Sequence, residues 1–465
     1  MKLGTDMTSG NIPKLMFSFS VPLIAQMMFV VINSFISAIL LGKFVGADAL
    51  GVVAMVMPII FVLNSIAIGL TTATSILVAQ VYGRKEYSNI KKIIDTSFVL
   101  VIFTCIICVV VGILNMNSLL HAIKTPPELL HDAKIYLFVQ FLATPLMFFQ
   151  FLYFSALRGI GNSKSTMYYQ IVGVVLNLLL TPLFICGFWG LPKLGVLGAG
   201  LAMAISQLIL DIVMLIHMRK QKSLLRLSFK GLKFDKECGK LTVKIGFPTM
   251  IQQVILNISS LFIIGFVNHF GHTATSGFGA ASRVDFIAFM PAQAICMTVS
   301  MVAGQNMGVG KFDRVKKIFF WGALFGVLMI LIPSFFAFLM PEQVMKIFIN
   351  DTPAIEIGMG YLRHMSIGYI FLAVMFAAEG IPLASGQTWV ATAFTLVSVW
   401  FIRVPLANYL MKGKMQIDGI WLAMVFGLLT GAILGVSYVL SGLWKKKAIL
   451  IDNNENIANI ETEQV

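Results

Sequence analysis

The sequence predicts an all-α integral membrane protein of twelve transmembrane helices, in two six-helix lobes related by a pseudo-two-fold axis along the membrane normal. Three observations predict this class. Hydrophobic residues make up 58% of the 465-residue chain and charged residues only 12%, whereas an ordinary soluble domain is about a quarter charged. The apolar residues gather into runs long enough to cross a hydrocarbon layer of about 30 Å, which takes roughly 20 helical residues. Finally, QVYGRKEYSNIKKI at 80–93 returns as QNMGVGKFDRVKKI at 305–318, with Gln80/Gln305, Gly83/Gly308, Lys91/Lys316, Lys92/Lys317 and Ile93/Ile318 identical.

In chain order the spans are expected near 16–39, 52–78, 92–113, 133–157, 165–188, 197–218, 243–267, 277–303, 316–339, 360–384, 388–410 and 419–443. Only helices and closed barrels satisfy every backbone group in lipid, and these runs are too long and continuous for barrel strands. The second and eighth runs are long enough to tilt or to leave the bilayer. The start, MKLGTDMTSGNIPKL, is polar, and the run after it is long enough to span, so it reads as a retained first helix and not a cleaved signal.

Lysine and arginine set the expected orientation. One side of the membrane receives Arg84, Lys85, Lys91 and Lys92, then Arg158 and Lys164, then Lys311, Arg314, Lys316 and Lys317, and finally Lys445, Lys446 and Lys447. The segment between the sixth and seventh runs belongs to the same side, with nine basic residues from Arg219 to Lys244 against Asp235 and Glu237. The opposite loops are sparse or mixed, as in Lys43 with Asp48 and Lys124 with Glu128. The basic side is the cytoplasm, which places both termini inside a plasma membrane. Basic clusters broken up by apolar runs also argue against nucleic acid as a partner, despite the net charge of +14.

The repeat divides the chain. The same offset pairs Gly46 with Gly271 and Gly161-Asn162-Ser163 with Gly386-Gln387-Thr388, and a shift of one pairs Pro22 with Pro248 and Gln26 with Gln252. The expected organisation is an N-terminal six-helix lobe at 1–218, a cytoplasmic linker at 219–242, a C-terminal six-helix lobe at 243–445 and a disordered tail at 446–465. Six is even, so both lobes enter the membrane the same way. A solute cavity is expected where they meet, opened to each side in turn, with the two basic turns as cytoplasmic hinge caps, one per half.

An ionisable group within a span is a functional candidate by default. Glu379 lies in FAAEGIPLASG, Asp285 in SRVDFIAF, Arg403 in WFIRVPLAN, and Asp211 late in the sixth run. Glu379 has no ionic neighbour one turn away. It could bind a cation, carry a proton, pair with Arg403, or be a structural acid beside the break at Gly380-Ile381-Pro382; burial favours its neutral form unless a cation is near. Asp285, two residues after Arg283, reads as interfacial and structural. Asp95 reads as interfacial beside Lys91 and Lys92. Uncharged polar residues recur at Gln26, Asn33 and Ser37 in the first run, at Asn177 and Thr181 in the fifth, and at Gln252, Gln253 and Asn257 in the seventh. Helix-to-helix hydrogen bonding explains most of these. The five cysteines include a C-x-x-C, Cys105 and Cys108, but inside TCIICVV they are small hydrophobes with no polar support for a metal. No phosphate-binding G-x-x-x-x-G-K-[ST] loop, H-E-x-x-H or G-x-S-x-G occurs, so neither ATP-driven transport by this chain alone nor hydrolysis is expected. No cofactor is expected, and a monomer is.

The pieces TSGNIPKLMFSFSVPLI, LLGKFVGADALG, QVYGRKE, LRGIGNSK, NLLLTPLFICGF and GVLGAGLA, in this order and spacing, resemble the multidrug and toxic compound extrusion family over about residues 8–445. The resemblance implies a two-lobe secondary transporter that exports lipophilic, often cationic compounds in exchange for protons or sodium ions. It also implies departures from the pattern. Ser37 stands where the first helix usually carries Asp, and Thr181 stands where the fifth helix, which keeps Asn177, usually carries Asp. The seventh-helix Glu of one branch is absent, with Gln252, Gln253 and Asn257 nearby. Glu379, with Arg403 as a possible partner, is therefore the expected carrier of coupling. A lipid-linked oligosaccharide flippase, a polar-metabolite exporter of related plan and a transport-silent scaffold are the competing readings. Flippases of that kind line the cavity with several cations, and Arg403 is nearly alone in mid-span.

Overall fold

The computed structural model describes residues 4–187, 192–220, 225 and 232–447. Positions 221–224 and 226–231 of the expected linker and nearly all of the expected tail lie outside the described residues. Among the described residues, twelve helices are long and apolar enough to cross a membrane. They are α1 Ile12–Phe44, α2 Ala47–Gly83, α3 Tyr87–Leu114, α4 Leu130–Gly159, α5 Ser163–Cys186, α6 Gly195–Lys220, α7 Lys236–Asn268, α8 His272–Gly308, α9 Phe312–Leu339, α10 Thr352–Ala384, α11 Thr388–Leu410 and α12 Gln416–Ser441. The two longest, α2 and α8, have 37 residues each. Short helices at Met116–Ala122 and Pro341–Lys346 follow α3 and α9. Among the described residues, prolines lie inside nine of the spans, α1, α2, α4, α5, α7, α8, α9, α10 and α11, at Pro22, Pro58, Pro145, Pro182, Pro248, Pro291, Pro333, Pro382 and Pro405. Membrane helices tolerate this because neighbouring groups take up the freed carbonyls. Thr392 Oγ1, for instance, donates to the Pro248 carbonyl at 2.9 Å.

Packing separates two compact units. The first holds Ala25–Val78 and Glu86–Gly246, and the second holds Asp6–Ile24, Ala79–Lys85 and the chain from Phe247 on. In the first unit Leu41, Val52, Val56, Leu137, Phe141 and Ile185 form a buried core shared by α1, α2, α4 and α5. Ile102, Phe103, Ile106 and Val110 stand exposed along α3, a stripe at helical spacing that suits lipid. In the second unit α10 packs against α8, α9 and α12, and Tyr361, Tyr369 and Trp421 are buried. The α8–α10 crossing depends on a small residue, as membrane interfaces do: a Cβ on Gly380 would lie 2.8 Å from the Cys296 carbonyl oxygen and from Val299.

The sequence repeat is also a repeat of backbone shape. Gly46 and Gly271 both have positive φ, at 120° and 90°, and Gly161 and Gly386 have φ of 80° and 76°. The turns at the last pair close alike, with Gly161 and Gly386 donating their N–H to Arg158 and Leu383 at 2.9 Å. The basic turns match too, with φ of 64° at Lys85 and 72° at Gly310.

The second basic turn and the start of the first, up to Lys85, belong to the second unit. A side chain on Gly83 would overlap the backbone of Gln305, and one on Gly308 would overlap the backbone of Gln80, so the ends of α2 and α8 meet backbone to backbone. Gln80 Nε2 donates to the Ala384 carbonyl at 2.7 Å, and Arg84 Nε donates to the Gly308 carbonyl at 3.0 Å. The segment before α1 is held to the second turn: Met7 N donates to Gln305 Oε1 at 2.9 Å, Lys311 Nζ to the Thr8 carbonyl at 2.9 Å, and Arg314 Nη2 to the Gly10 carbonyl at 3.1 Å. The repeated glycines are thus explained by close approach as well as by turn shape.

Candidate functional site

In the first unit, Ser37 of α1 donates its hydroxyl to Asn177 Oδ1 of α5 at 3.2 Å, and Thr181, one turn on, donates to the same oxygen at 3.4 Å. Asn177 and Thr181 are buried. Asn33 stands one turn before Ser37, and its Oδ1 is buried with no hydrogen-bond partner; the same holds for Gln26 Oε1. The structure therefore joins Ser37, Asn177 and Thr181 in one uncharged cluster and leaves Asn33 and Gln26 with acceptor capacity to spare.

In the second unit, Gln252 of α7 is the centre of one cluster. Its Nε2 donates to Glu379 Oε1 of α10 at 2.6 Å and to Thr395 Oγ1 of α11 at 2.8 Å, so both amide hydrogens are used. Thr395 donates in turn to the Ala391 carbonyl. Glu379 thus sits within a span, held by an amide and joined to no cation. Further along α7, Asn257 Nδ2 bonds back to the Gln253 carbonyl at 2.9 Å.

A second cluster corrects two expectations. Asp285 of α8 is not an interfacial partner of Arg283. Its Oδ2 accepts a short hydrogen bond from Tyr361 and its Oδ1 accepts from Tyr369 at 2.6 Å, both tyrosines on α10. Arg283 is exposed and lies over the Phe348 ring at 5.9 Å. Arg403 does not pair with Glu379 either. Its charge acts on Asp285 and Tyr361, and its Nε is buried with no hydrogen-bond partner. Arg403 closes a π-helical stretch, Leu396–Arg403, within α11, where the turn is wider than in an α-helix. Phe278 and Trp421 complete the aromatic wall, with Tyr361 edge-on to both at 5.3 and 4.9 Å between ring centroids.

Asp95 departs from its reading in part: the Lys91 charge acts on it as expected, but it is buried with Oδ1 unpartnered, and Lys92 instead pairs with Asp235 at 2.8 Å. Sequence reasoning missed Thr395, Tyr361 and Tyr369. The signal for the tyrosines was present: they are eight residues apart, hence on one face of α10, and a buried phenol needs a partner.

Geometrically the chain offers two kinds of polar site within spans. One, the Ser37, Asn177 and Thr181 cluster of the first unit, is uncharged and oxygen-rich. The other, in the second unit, carries two carboxyl groups, one bound by an amide and one by two phenols with a guanidinium nearby. Neither has the nucleophile, base and oxyanion arrangement of a hydrolase.

Comparison with known proteins agrees with the two-copy plan. The MatE family model matches residues 22–183 and matches again at 248–409, beginning at the Pro22 and Pro248 pair that the repeat aligned. The Probable multidrug resistance protein YoeA of Bacillus subtilis is 30% identical, over 93% of this chain and 94% of its own. Its neighbour in similarity, the Probable multidrug resistance protein YpnP of the same organism, is 29% identical over 95% and 97%. The solved outward-facing conformation of a multidrug resistance MATE family transporter of the MOP superfamily superposes with a TM-score of 0.88, at 18% identity, over 94% of this chain and 97% of that one. The twofold family match and the near-full-length relatives together place this twelve-helix chain in the MATE family of multidrug transporters.

Proposed function

We propose that the chain is a secondary active exporter of a lipophilic, cationic small molecule, working by alternating access in antiport with protons or sodium ions. The lobes at 1–218 and 243–445 would move against one another in a plasma membrane, with both termini cytoplasmic and one chain as the working unit. Support for the orientation comes from the basic turns at Arg84–Lys92 and Lys311–Lys317.

The observation that carries the coupling assignment is Glu379. It is a carboxyl group within a span, fixed by the 2.6 Å bond from Gln252, with no cation to neutralise it. Such a group binds a proton or a cation in one state and gives it up in another. Support for a coupling carboxylate in the second lobe comes from the neutral cluster Ser37, Asn177 and Thr181, which by the resemblance stands where the family's first and fifth helices carry Asp. Gln252 positions Glu379, and Thr395 positions Gln252. Asp285 is engaged by two phenols and the nearby Arg403 charge, which makes it a fixed element of the lobe.

The test is uptake of a fluorescent organic cation into proteoliposomes under imposed proton or sodium gradients. Wild type is expected to concentrate the dye with one of the gradients, and Glu379→Gln to fall to background with its melting temperature preserved. Gradient-driven transport in Glu379→Gln equal to wild type would remove Glu379 from the mechanism. Movement of a lipid-linked sugar without movement of the dye would favour the flippase reading.

A further inference from the structure

We propose that Asp211, on the interior face of α6, is a proton-binding site of the N-terminal lobe. Asp211 is 4% exposed, and both of its carboxyl oxygens are buried with no hydrogen-bond partner. It lies on the inward stripe of α6 with Gln207, Leu210, Met214 and Met218, all buried, while Leu208, Ile212, Val213 and Ile216 are exposed on the opposite face. It therefore points into helix packing and away from lipid.

The neighbours define the site. One turn before Asp211, Gln207 Nε2 donates to Gln150 Oε1 of α4 at 2.6 Å. Beside it, Leu210 packs on Gly173 of α5, 3.0 Å from where a Cβ would stand. The two helices packed on α6 are thus engaged on either side of Asp211, and the nearby amides are committed to each other. Nearer the basic ends of these helices stand the buried Tyr153 on α4 and Tyr169 on α5 and the exposed His217 on α6. Tyr153 and Tyr169 lie with ring centroids 5.9 Å apart, and Tyr169 lies 5.8 Å from His217. His217 is six residues on, about 9 Å along the axis. The lysines and arginines of the same elements, Lys134, Arg158, Lys164, Arg219 and Lys220, lie towards helix ends.

A carboxylate buried without hydrogen bonds or an opposite charge is too costly to persist and takes a proton instead. A proton needs one oxygen, which this site has; a metal ion would need several, and among the described residues no group of three His, Cys, Asp or Glu side chains could hold one. Asp211 is loaded when the packing around Gln150, Gln207 and Gly173 is closed, and it releases its proton when that packing admits water. The exchange moves one proton and breaks no other bond. This gives the first lobe a titratable group although the Ser37, Asn177 and Thr181 cluster has none. Its use in coupling rests on the export reading above; the proton binding itself does not.

Two measurements test it. Dicyclohexylcarbodiimide, which enters from lipid, adds to protonated carboxyl groups in apolar settings, and mass spectrometry maps the N-acylurea. Asp211 is expected to be modified, more at pH 6 than at pH 9, with Asp211→Asn unmodified there. Modification at Glu379 with none at Asp211 would overturn the site. In the proteoliposome assay, Asp211→Asn is expected to lose at least nine-tenths of proton-driven transport while its melting temperature stays at or above that of wild type, since an amide needs no proton to be buried. Wild-type transport with wild-type proton dependence in Asp211→Asn would overturn its use in coupling. If wild type moves the dye under neither gradient, the export reading fails and the labelling still decides the proton site.

Discussion

Asp235 shows how much a single side chain organises at the edge of the membrane. Its Oδ1 accepts from the Cys238 N–H at 2.7 Å, capping the first turn of α7, while its Oδ2 meets Lys92 of α3 at 2.8 Å. Partial burial works to raise its affinity for a proton, but Lys92 and the backbone N–H groups of Cys238 and Glu237 outweigh that and hold the carboxyl below its ordinary value. Asp235→Ala is expected to lower stability by about 0.5–2 kcal/mol, the usual cost of a lost N-cap, with little from the partly exposed ion pair itself. Because the folded value is depressed, the contribution is complete above the ordinary aspartate value of 3.8 and is lost as pH falls through the lower folded value. Melting curves of wild type and Asp235→Ala should therefore differ at pH 7 and converge in strong acid. A gap that persists unchanged at the lowest accessible pH would show that the carboxylate charge contributes nothing. Residue identities inside spans were legible as candidates, but their partners were not. Glu379, Asp285 and Arg403 stand out in any apolar run, yet which of them meet depends on the rotation of α8, α10 and α11 about their axes. The π-helical stretch at Leu396–Arg403 widens the turn of α11 without an obvious mark in LVSVWFIR.

Elements were the most readable level. Each helix declares itself by length and hydropathy, and the turns by glycine and basic residues. The repeat even carried the backbone: positions paired by sequence have the same left-handed φ at Gly46 and Gly271 and at Gly161 and Gly386. The informative mismatch is Lys85 against Gly310, where one copy places lysine in a conformation that favours glycine. Left-handed backbone costs a residue with a Cβ about 1–2 kcal/mol, partly offset by the greater freedom glycine loses on folding. Gly310→Ala, which meets no neighbouring atom, is expected to lower stability by about 0.5–1 kcal/mol. Lys85→Gly should shift it the other way by no more than that. Thermal midpoints in detergent moving in the same direction for both variants would contradict the shared geometry. What sequence left unread at this scale was the close approach of α2 and α8, since a glycine that suits a turn and a glycine that admits another backbone look alike.

At the scale of the whole molecule, the repeat and the packing do not cut the chain at the same places. Two family-model matches, each of the same extent, describe two copies, and a division near the basic linker is the natural one by sequence. By packing, however, Asp6–Ile24 and Ala79–Lys85, both from the N-terminal half of the chain, belong with the second unit. They supply Gln80, Arg84 and the carbonyls of Thr8 and Gly10 that Ala384, Gly308, Lys311 and Arg314 engage. An ancestral gene that was duplicated has therefore not remained two autonomous products. Residues 1–218 and 219–465 produced from separate messages should each be degraded alone and recovered when made together, and steady-state abundance of the fragments on a membrane immunoblot reads this directly. A C-terminal fragment that accumulates on its own would mean that its borrowed pieces are dispensable.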